Sequence, residues 1–372
     1  MNYRKINNLT GWAVFAIATI VYLMTMEKSG SLWDCGEFAG TAHRMGIPHP
    51  PGAPLFIMIG RMFSFIGGIF GLSPIVSINA LSALSSSFTI LFLFWTITHF
   101  ARKAVLEKGG QLDKPGVFGI MAAGVVGALA YTFSDSFWFS AVEAEVYALS
   151  SLCTAVVFWA ILKWEDHPGN TNDPANANGR SQADKWLIFI FFVMGLSIGV
   201  HLLNLLTIPA IIVVYYFKRY KTTTTGLLLT LFISVLMLGF VQKIVGQHSI
   251  SAGFVFERLF VNSFGLPVLT GFIFFFVAVG ALIYLGLRYA ARNNLGQLRL
   301  GLWCLAFTLI GMSTYLTTMI RSKANPGIDM YNVDNPYALK GYLGREQYGD
   351  FPLLMGQHYE ATGVGSNKKG NK

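Results

Sequence analysis

An all-α, polytopic transmembrane bundle of about nine membrane helices is the fold class this sequence predicts, and three observations predict it. Of 372 residues, 53% are hydrophobic and only 12% charged, which lies outside the range of soluble globular domains. Apolar runs of roughly 20 residues, enough to cross about 30 Å of hydrocarbon, recur along most of the chain. The basic residues behind the net charge of +9 sit in short clusters between those runs and not in one stripe. Their spacing argues against a nucleic-acid partner and for membrane orientation as the role of the charge.

The first helix is expected at about residues 9–26. Arg4 and Lys5 precede it as in a signal peptide, but the run is long and lacks a small-x-small cleavage pattern, so it reads as uncleaved. Eight more crossings are expected at about 77–100, 116–134, 139–163, 186–201, 203–217, 226–245, 266–287 and 299–320. With a cytoplasmic N-terminus the inside loops hold four basic clusters. These are Arg102, Lys103, Lys108 and Lys114, then Lys163, Arg180 and Lys185, then Lys218, Arg219 and Lys221, then Arg288, Arg292 and Arg299. The opposite loops hold far fewer, which favours this orientation by the positive-inside rule. In a bacterium the membrane would be the inner one.

The stretch Pro54 to Phe70 is apolar but short, glycine-rich and interrupted by Arg61. A crossing there would invert every later loop, so it is expected as a juxtamembrane helix along the outer interface. The Asn/Gly/Pro-rich stretch from Asp166 to Asp184 reads as a flexible inside connection. The bundle is thus expected over residues 1–320, with a first extracytoplasmic loop at 27–76. Residues 321–372 are polar and turn-rich, an extracytoplasmic tail that either caps the bundle or begins a larger soluble domain. Cys35, Cys153 and Cys304 are odd in number and widely spaced, which points to neither a disulfide framework nor a zinc site.

The chemistry is concentrated after the first helix. Asp34 and Glu37 stand in Trp33-Asp34-Cys35-Gly36-Glu37, and a carboxylate near lipid is costly unless solvated, paired or used. Spacing i, i+3 places both on one face of a helical turn. His49-Pro50-Pro51-Gly52 is a stiff element, because each proline fixes its own φ and restrains the residue before it. A second acidic pair, Glu143 and Glu145, is expected near the outer end of the fourth helix. There only one of the two would face inward, and Glu145, beside Tyr147, is favoured. His201 and Asn204 interrupt an apolar region, where His201 is either an interhelical hydrogen-bonder or a donor to an anionic phosphate. Arg258, Arg321 and Lys323 fall on the same outer side, as surface charges or as phosphate partners.

In order, the first helix, D-x-G-E at Asp34 to Glu37, H-P-P-G-x-P-L-F at His49 to Phe56 and A-E-V-Y at Ala144 to Tyr147 resemble the membrane glycosyltransferases of GT-C type. Within that class they resemble the protein O-mannosyltransferase-like family, long a domain of unknown function. By motif the resemblance covers roughly residues 1 to 220, and the nine-helix layout extends it. It implies a polyprenyl- or dolichyl-phosphate sugar donor, an extracytoplasmic acceptor and inversion at the anomeric carbon. Asp34 matches the first-loop acid that serves as base or orients the acceptor, with Glu37 as its partner. The wider mannosyltransferase class has a contiguous Asp-Glu pair where two residues intervene here. Bacterial members often continue into a large soluble C-terminal domain.

The expected function is transfer of a sugar, mannose at the family level, from a lipid-linked donor to a hydroxyl on a protein Ser/Thr or a glycolipid acceptor. Membrane lipids are the other partners. Arg61, Arg258, Arg321 or His201 would hold the donor phosphate, and His49, Glu145 and Tyr147 would line the substrate site. A divalent metal is compatible with Asp34, Glu37 and Glu145 through their oxygens. Two other classes fit a polytopic chain with acids: a transporter or flippase, which calls for midplane acids and inverted repeats, and a non-catalytic envelope scaffold.

Overall fold

The computed structural model describes residues 2–170 and 177–349. Part of the 166–184 connection and the end of the tail, 350–372, therefore lie outside the described residues. The regular structure of the described residues is helical, apart from one isolated bridge pairing. Nine of its helical stretches are long and apolar enough to cross a membrane, so the chain is a multi-pass integral membrane protein of the expected all-α class.

The first crossing is α1 (Tyr3–Thr25), opened by the Asn2 side chain accepting from Lys5 N–H at 3.2 Å. It buries one stripe, Val14, Ala18 and Tyr22, at helical spacing, and the Tyr22 hydroxyl donates to Thr132 O at 2.9 Å. Two short helices follow outside the nine spans, α2 (Cys35–Arg44) and α3 (Pro54–Ile69). At 16 residues, α3 is about 24 Å long, too short to cross. It buries Phe56, Ile57 and Gly60 and leaves Phe65, Ile66 and Ile69 exposed, as an apolar helix at an interface would. The second crossing, α4 (Pro74–Glu107), has 34 residues and so runs well past the hydrocarbon. Its buried serines, Ser77, Ser82, Ser85, Ser86 and Ser87, let neighbouring helices approach closely.

After α5 (Lys114–Thr132) the structure departs from the expected fourth helix at 139–163. A short α6 (Asp135–Ala141) ends, residues 142–145 run without helix, and the crossing itself is α7 (Val146–Glu165). Glu145 is extended as the N-cap of α7 (φ −119°, ψ 151°). The expectation that one glutamate turns outward assumed a helix; on the irregular backbone both are buried, Glu143 to 4% and Glu145 to 6% exposure.

The later crossings are α8 (Ala177–Ile198), a 3-10 turn (Leu202–Thr207) leading into α9 (Ile208–Arg219), then α10 (Thr224–Gly239), α12 (Thr270–Arg292) and α13 (Gly296–Met312). The expected end of the seventh helix near 245 is overrun. A π-helical stretch, Phe240–His248, carries α10 directly into α11 (Ser249–Phe264), 41 residues in all, about 60 Å if straight. Its hairpin is closed by Glu257, whose buried carboxylate accepts from Leu269 N–H and, at 3.0 Å, from Phe272 N–H at the start of α12. Where α8 crosses α13 only glycine fits. A Cβ on Gly195 would lie 2.3 Å from Thr308 O, and one on Gly311 2.5 Å from Leu196 N.

Beyond α14 (Tyr315–Ser322) the polar segment folds back over the end of the bundle that carries α2. Ile47 and residues 328–330 pair as a parallel bridge, through Ile47 N–H to Ile328 O at 2.8 Å and Met330 N–H to Ile47 O at 3.1 Å. Val333, and Leu339, Tyr342 and Leu343 of α15 (Pro336–Gly344), join the largest apolar core together with α7 and α8 residues.

Candidate active site

The site begins at the N-terminus of α2. Asp34 is its N-cap residue, and its side chain makes no capping bond, so the carboxylate is not committed to the helix. Glu37 sits in the first turn, where a negative charge meets the positive end of the helix dipole. Its carboxylate accepts from His49 backbone N–H at 2.5 Å and lies 3.0 Å from His49 Nδ1. The His-Pro-Pro segment is thereby tied to the acid motif, with the imidazole 5.8 Å from the Phe38 ring. Asp34, Glu37 and His49 are half-buried, and each offers a potential ligand atom within 4.8 Å of the others. That spacing suits a divalent cation. Its third donor is His49; Glu145, the oxygen expected from the sequence, stands outside the group.

The second acidic pair meets the first around Cys35. The Cys35 thiol donates to Glu145 Oε1 at 3.5 Å, and burial, with both glutamates near, pushes that thiol up to about 12, so it is no nucleophile at neutral pH. Burial also raises the Glu145 carboxyl above its ordinary range, and the negative charge of Asp34 adds to this. The two acids thus stand in different surroundings, Glu145 buried and Asp34 half-exposed to water. All three cysteines are buried and free.

Tyr147, on the first turn of α7, lies 5.2 Å ring to ring from His201. His201 Nδ1 accepts from Leu203 N–H at 3.1 Å, which leaves Nε2 as the protonated nitrogen of a neutral ring. Burial lowers the His201 pKa, and the guanidinium of Arg345 lowers it further. Arg345, just past the end of α15, is a cation that local sequence pattern did not single out, because only the folding back of the tail brings it here.

Two of the remaining cations are bonded to α2. Arg61 Nη1 donates to His43 O at 2.6 Å, and Arg321 donates to Met45 O at 3.0 Å and Arg44 O at 3.5 Å. Both guanidiniums cap the C-terminal carbonyls of α2, about 15 Å along that helix from Asp34. Arg258 is exposed on α11, and Lys323 is exposed at the end of α14. The geometry thus gathers Asp34, Glu37, His49 and Glu145, sets His201 beside Tyr147, and gives Arg61 and Arg321 a structural task.

The tail also buttresses the site. The Tyr342 hydroxyl donates to Pro48 O at 2.6 Å, and Gly52 (φ +72°) leaves it room, since a Cβ there would come 2.2 Å from that oxygen.

The model of the family described as "Protein O-mannosyl-transferase TMEM260 N-terminal domain" matches residues 34–224, half of the chain, from Asp34 onward. A protein named Protein O-mannosyl-transferase tmem260 from Dictyostelium discoideum is 28% identical over 146 residues, 39% of this chain and 16% of that protein. One named Protein O-mannosyl-transferase TMEM260 from Mus musculus is 29% identical over 154 residues, 41% of this chain and 19% of that protein. The aligned stretch thus spans less than a fifth of either relative. No solved structure matches.

Proposed function

We propose that this chain, which belongs to the family of the protein O-mannosyl-transferase TMEM260 N-terminal domain, transfers a sugar from a polyprenyl-phosphate-linked donor to a hydroxyl on the extracytoplasmic side. The names of the relatives make mannose the favoured sugar and a protein Ser/Thr hydroxyl the favoured acceptor. The observation that carries the reading is the convergence of Asp34, Glu37 and His49 within 4.8 Å at the mouth of an apolar bundle.

In this reading the N-terminus is cytoplasmic and the Asp34 end of the bundle is extracytoplasmic, supported by the basic clusters at the other end. The donor's lipid tail lies among the helices, while His201 Nε2–H and the Arg345 guanidinium meet its phosphate. The acceptor oxygen attacks the anomeric carbon, the new C–O bond forms as the bond to the phosphate oxygen breaks, and the carbon inverts. Asp34 takes the acceptor proton, and the phosphate leaves with the bond's electron pair. No covalent nucleophile is needed. Glu37 positions His49, and Glu145, whose pKa burial raises, is a weaker source of negative charge near the leaving phosphate. A divalent ion held by Asp34, Glu37 and His49 would supply charge stabilisation of the same phosphate. Residues 1–320 form the catalytic membrane unit, and residues 321–349 cap it.

Glycoproteomic mass spectrometry of cells with and without the full chain tests this function. Hexose on extracytoplasmic Ser/Thr that vanishes with the protein supports it. Unchanged glycosylation together with altered distribution of a lipid-linked sugar across the membrane would favour transport instead.

A further inference from the structure

At the end of the bundle opposite Asp34, a cleft of about 1090 Å³ opens between α8, α9 and the junction of α12 and α13. The two ends are separated by the length of α8, whose 22 residues span about 33 Å. Arg180, Lys185 and Arg299 line the cleft, and so do Phe192, Trp303 and Phe307. Among the described residues of its lining the one acid, Asp184, is already engaged, 3.1 Å from Arg219 Nη2 and accepting from Trp164 Nε1–H at 3.1 Å. The described lining therefore carries an excess of positive charge that Asp184 does not neutralise. The first turn of α13 also borders the cleft, and its N-cap, Leu295, has no side-chain acceptor for the helix's first N–H groups.

We propose that this cleft is a binding site for an anionic phospholipid, with the phosphodiester among Arg180, Lys185 and Arg299 and an acyl chain against Phe192, Trp303 and Phe307. The combination of features selects that occupant. A free anion would be met by the cations, but it has no use for the aromatic wall, and the cleft exceeds the usual size of a small-ligand pocket. A zwitterionic lipid would fill the apolar part yet bring its own cation to a basic rim. Basic pockets between membrane helices on the cytoplasmic side suit anionic headgroups, and each cation near such a surface contributes about a fivefold preference. The site is separate from the Asp34 cluster and does not depend on the proposed transferase reaction.

The test is native mass spectrometry of the purified full chain offered phosphatidylglycerol or phosphatidylcholine, each with and without inorganic phosphate. Phosphatidylglycerol is expected to be retained at least about tenfold better, and inorganic phosphate is not expected to displace it. The preference should fall about fivefold in Arg299→Gln and largely vanish in Arg180→Gln/Lys185→Gln/Arg299→Gln. Trp303→Ala should weaken retention of both lipids and keep the preference. Arg288→Gln, a basic residue near the same end but outside the cleft lining, should change nothing. Equal retention of the two lipids overturns the proposal, as does a preference untouched by Arg299→Gln. A matching loss in Arg288→Gln overturns it by assigning the effect to general surface charge, and full displacement by inorganic phosphate by assigning the site to a free anion. Should the triple variant fail to fold by size exclusion, the single variants decide.

Discussion

Glu37 holds His49 at two points, accepting from its backbone N–H at 2.5 Å and meeting its Nδ1 at 3.0 Å. The contact joins two segments 12 residues apart and leaves His49 Nε2 as the ring nitrogen free to face a substrate. Glu37→Gln keeps an acceptor for the backbone and loses one carboxylate oxygen facing the ring, whereas Glu37→Ala loses both contacts. Turnover should fall about tenfold in the first and further in the second, with a stability loss of about 1–3 kcal/mol for Ala, where the half-buried His49 N–H is left without its acceptor. Steady-state transfer assays alongside thermal unfolding in detergent check both.

Tyr342 and Gly52 form the joint between the tail and the His-Pro-Pro segment. Tyr342→Phe should lower stability by about 1 kcal/mol through loss of the bond to Pro48 O. Gly52→Ala should lower it by more than about 1 kcal/mol, because its φ is +72° and the new methyl would meet the Tyr342 hydroxyl. In Gly52→Ala/Tyr342→Phe part of the clash is relieved, so the double variant should be more stable than the sum of the singles predicts. Unfolding midpoints of the four proteins measure that coupling.

The two groups of cations should separate kinetically. Arg61→Ala and Arg321→Ala remove caps from the C-terminal carbonyls of α2, so stability should drop by roughly 1 kcal/mol each with little change in donor KM. His201→Ala and Arg345→Ala should instead raise donor KM several-fold, on the premise that they meet the phosphate. Kinetics at varied donor concentration distinguish the two patterns.

The pH dependence of stability follows from two opposite shifts. The Glu145 pKa is raised in the fold, chiefly by burial, so the stability this carboxyl contributes is present below the ordinary value of about 4.3 and is lost as pH rises, because the unfolded chain ionises first. The His201 pKa is lowered, chiefly by burial, so its contribution is present above about 6.5 and is lost as pH falls, because the unfolded chain takes up the proton first. Glu145→Gln should therefore gain on the wild type as pH rises from about 4 towards neutrality, and His201→Gln should flatten the limb just below about 6.5. Unfolding midpoints across pH for the three proteins test both signs.

Much of this molecule was legible as a string. Apolar length and charge clusters pointed to the nine stretches of the described residues that are long and apolar enough to cross, and α3 was read as too short and too interrupted to be a tenth. The family was readable from Asp34 to Tyr147 because its motifs are local. What escaped was set by contacts between distant residues or by backbone that departs from a regular helix. No periodicity marks the break at 142–145 that buries both Glu143 and Glu145, or the π stretch that carries α10 into α11. Arg61 and Arg321 were expected as phosphate partners because scarce outer cations invite that reading, and no local pattern showed which groups of the chain they bond. Their partners are carbonyls of α2, and Arg321 lies 276 residues from one of them. Tyr342 and Arg345 gain their places only because the tail returns to a loop nearly 300 residues earlier.

The central claim is that Asp34, the uncommitted carboxylate at the start of α2, accepts the acceptor's proton. Sugar transfer from a radiolabelled lipid-phosphate donor by purified Asp34→Asn tests it most directly, since the amide preserves shape and removes the basicity. The account predicts a fall in kcat of at least about a hundredfold, with the unfolding midpoint near wild type. Near-normal turnover in Asp34→Asn would contradict it.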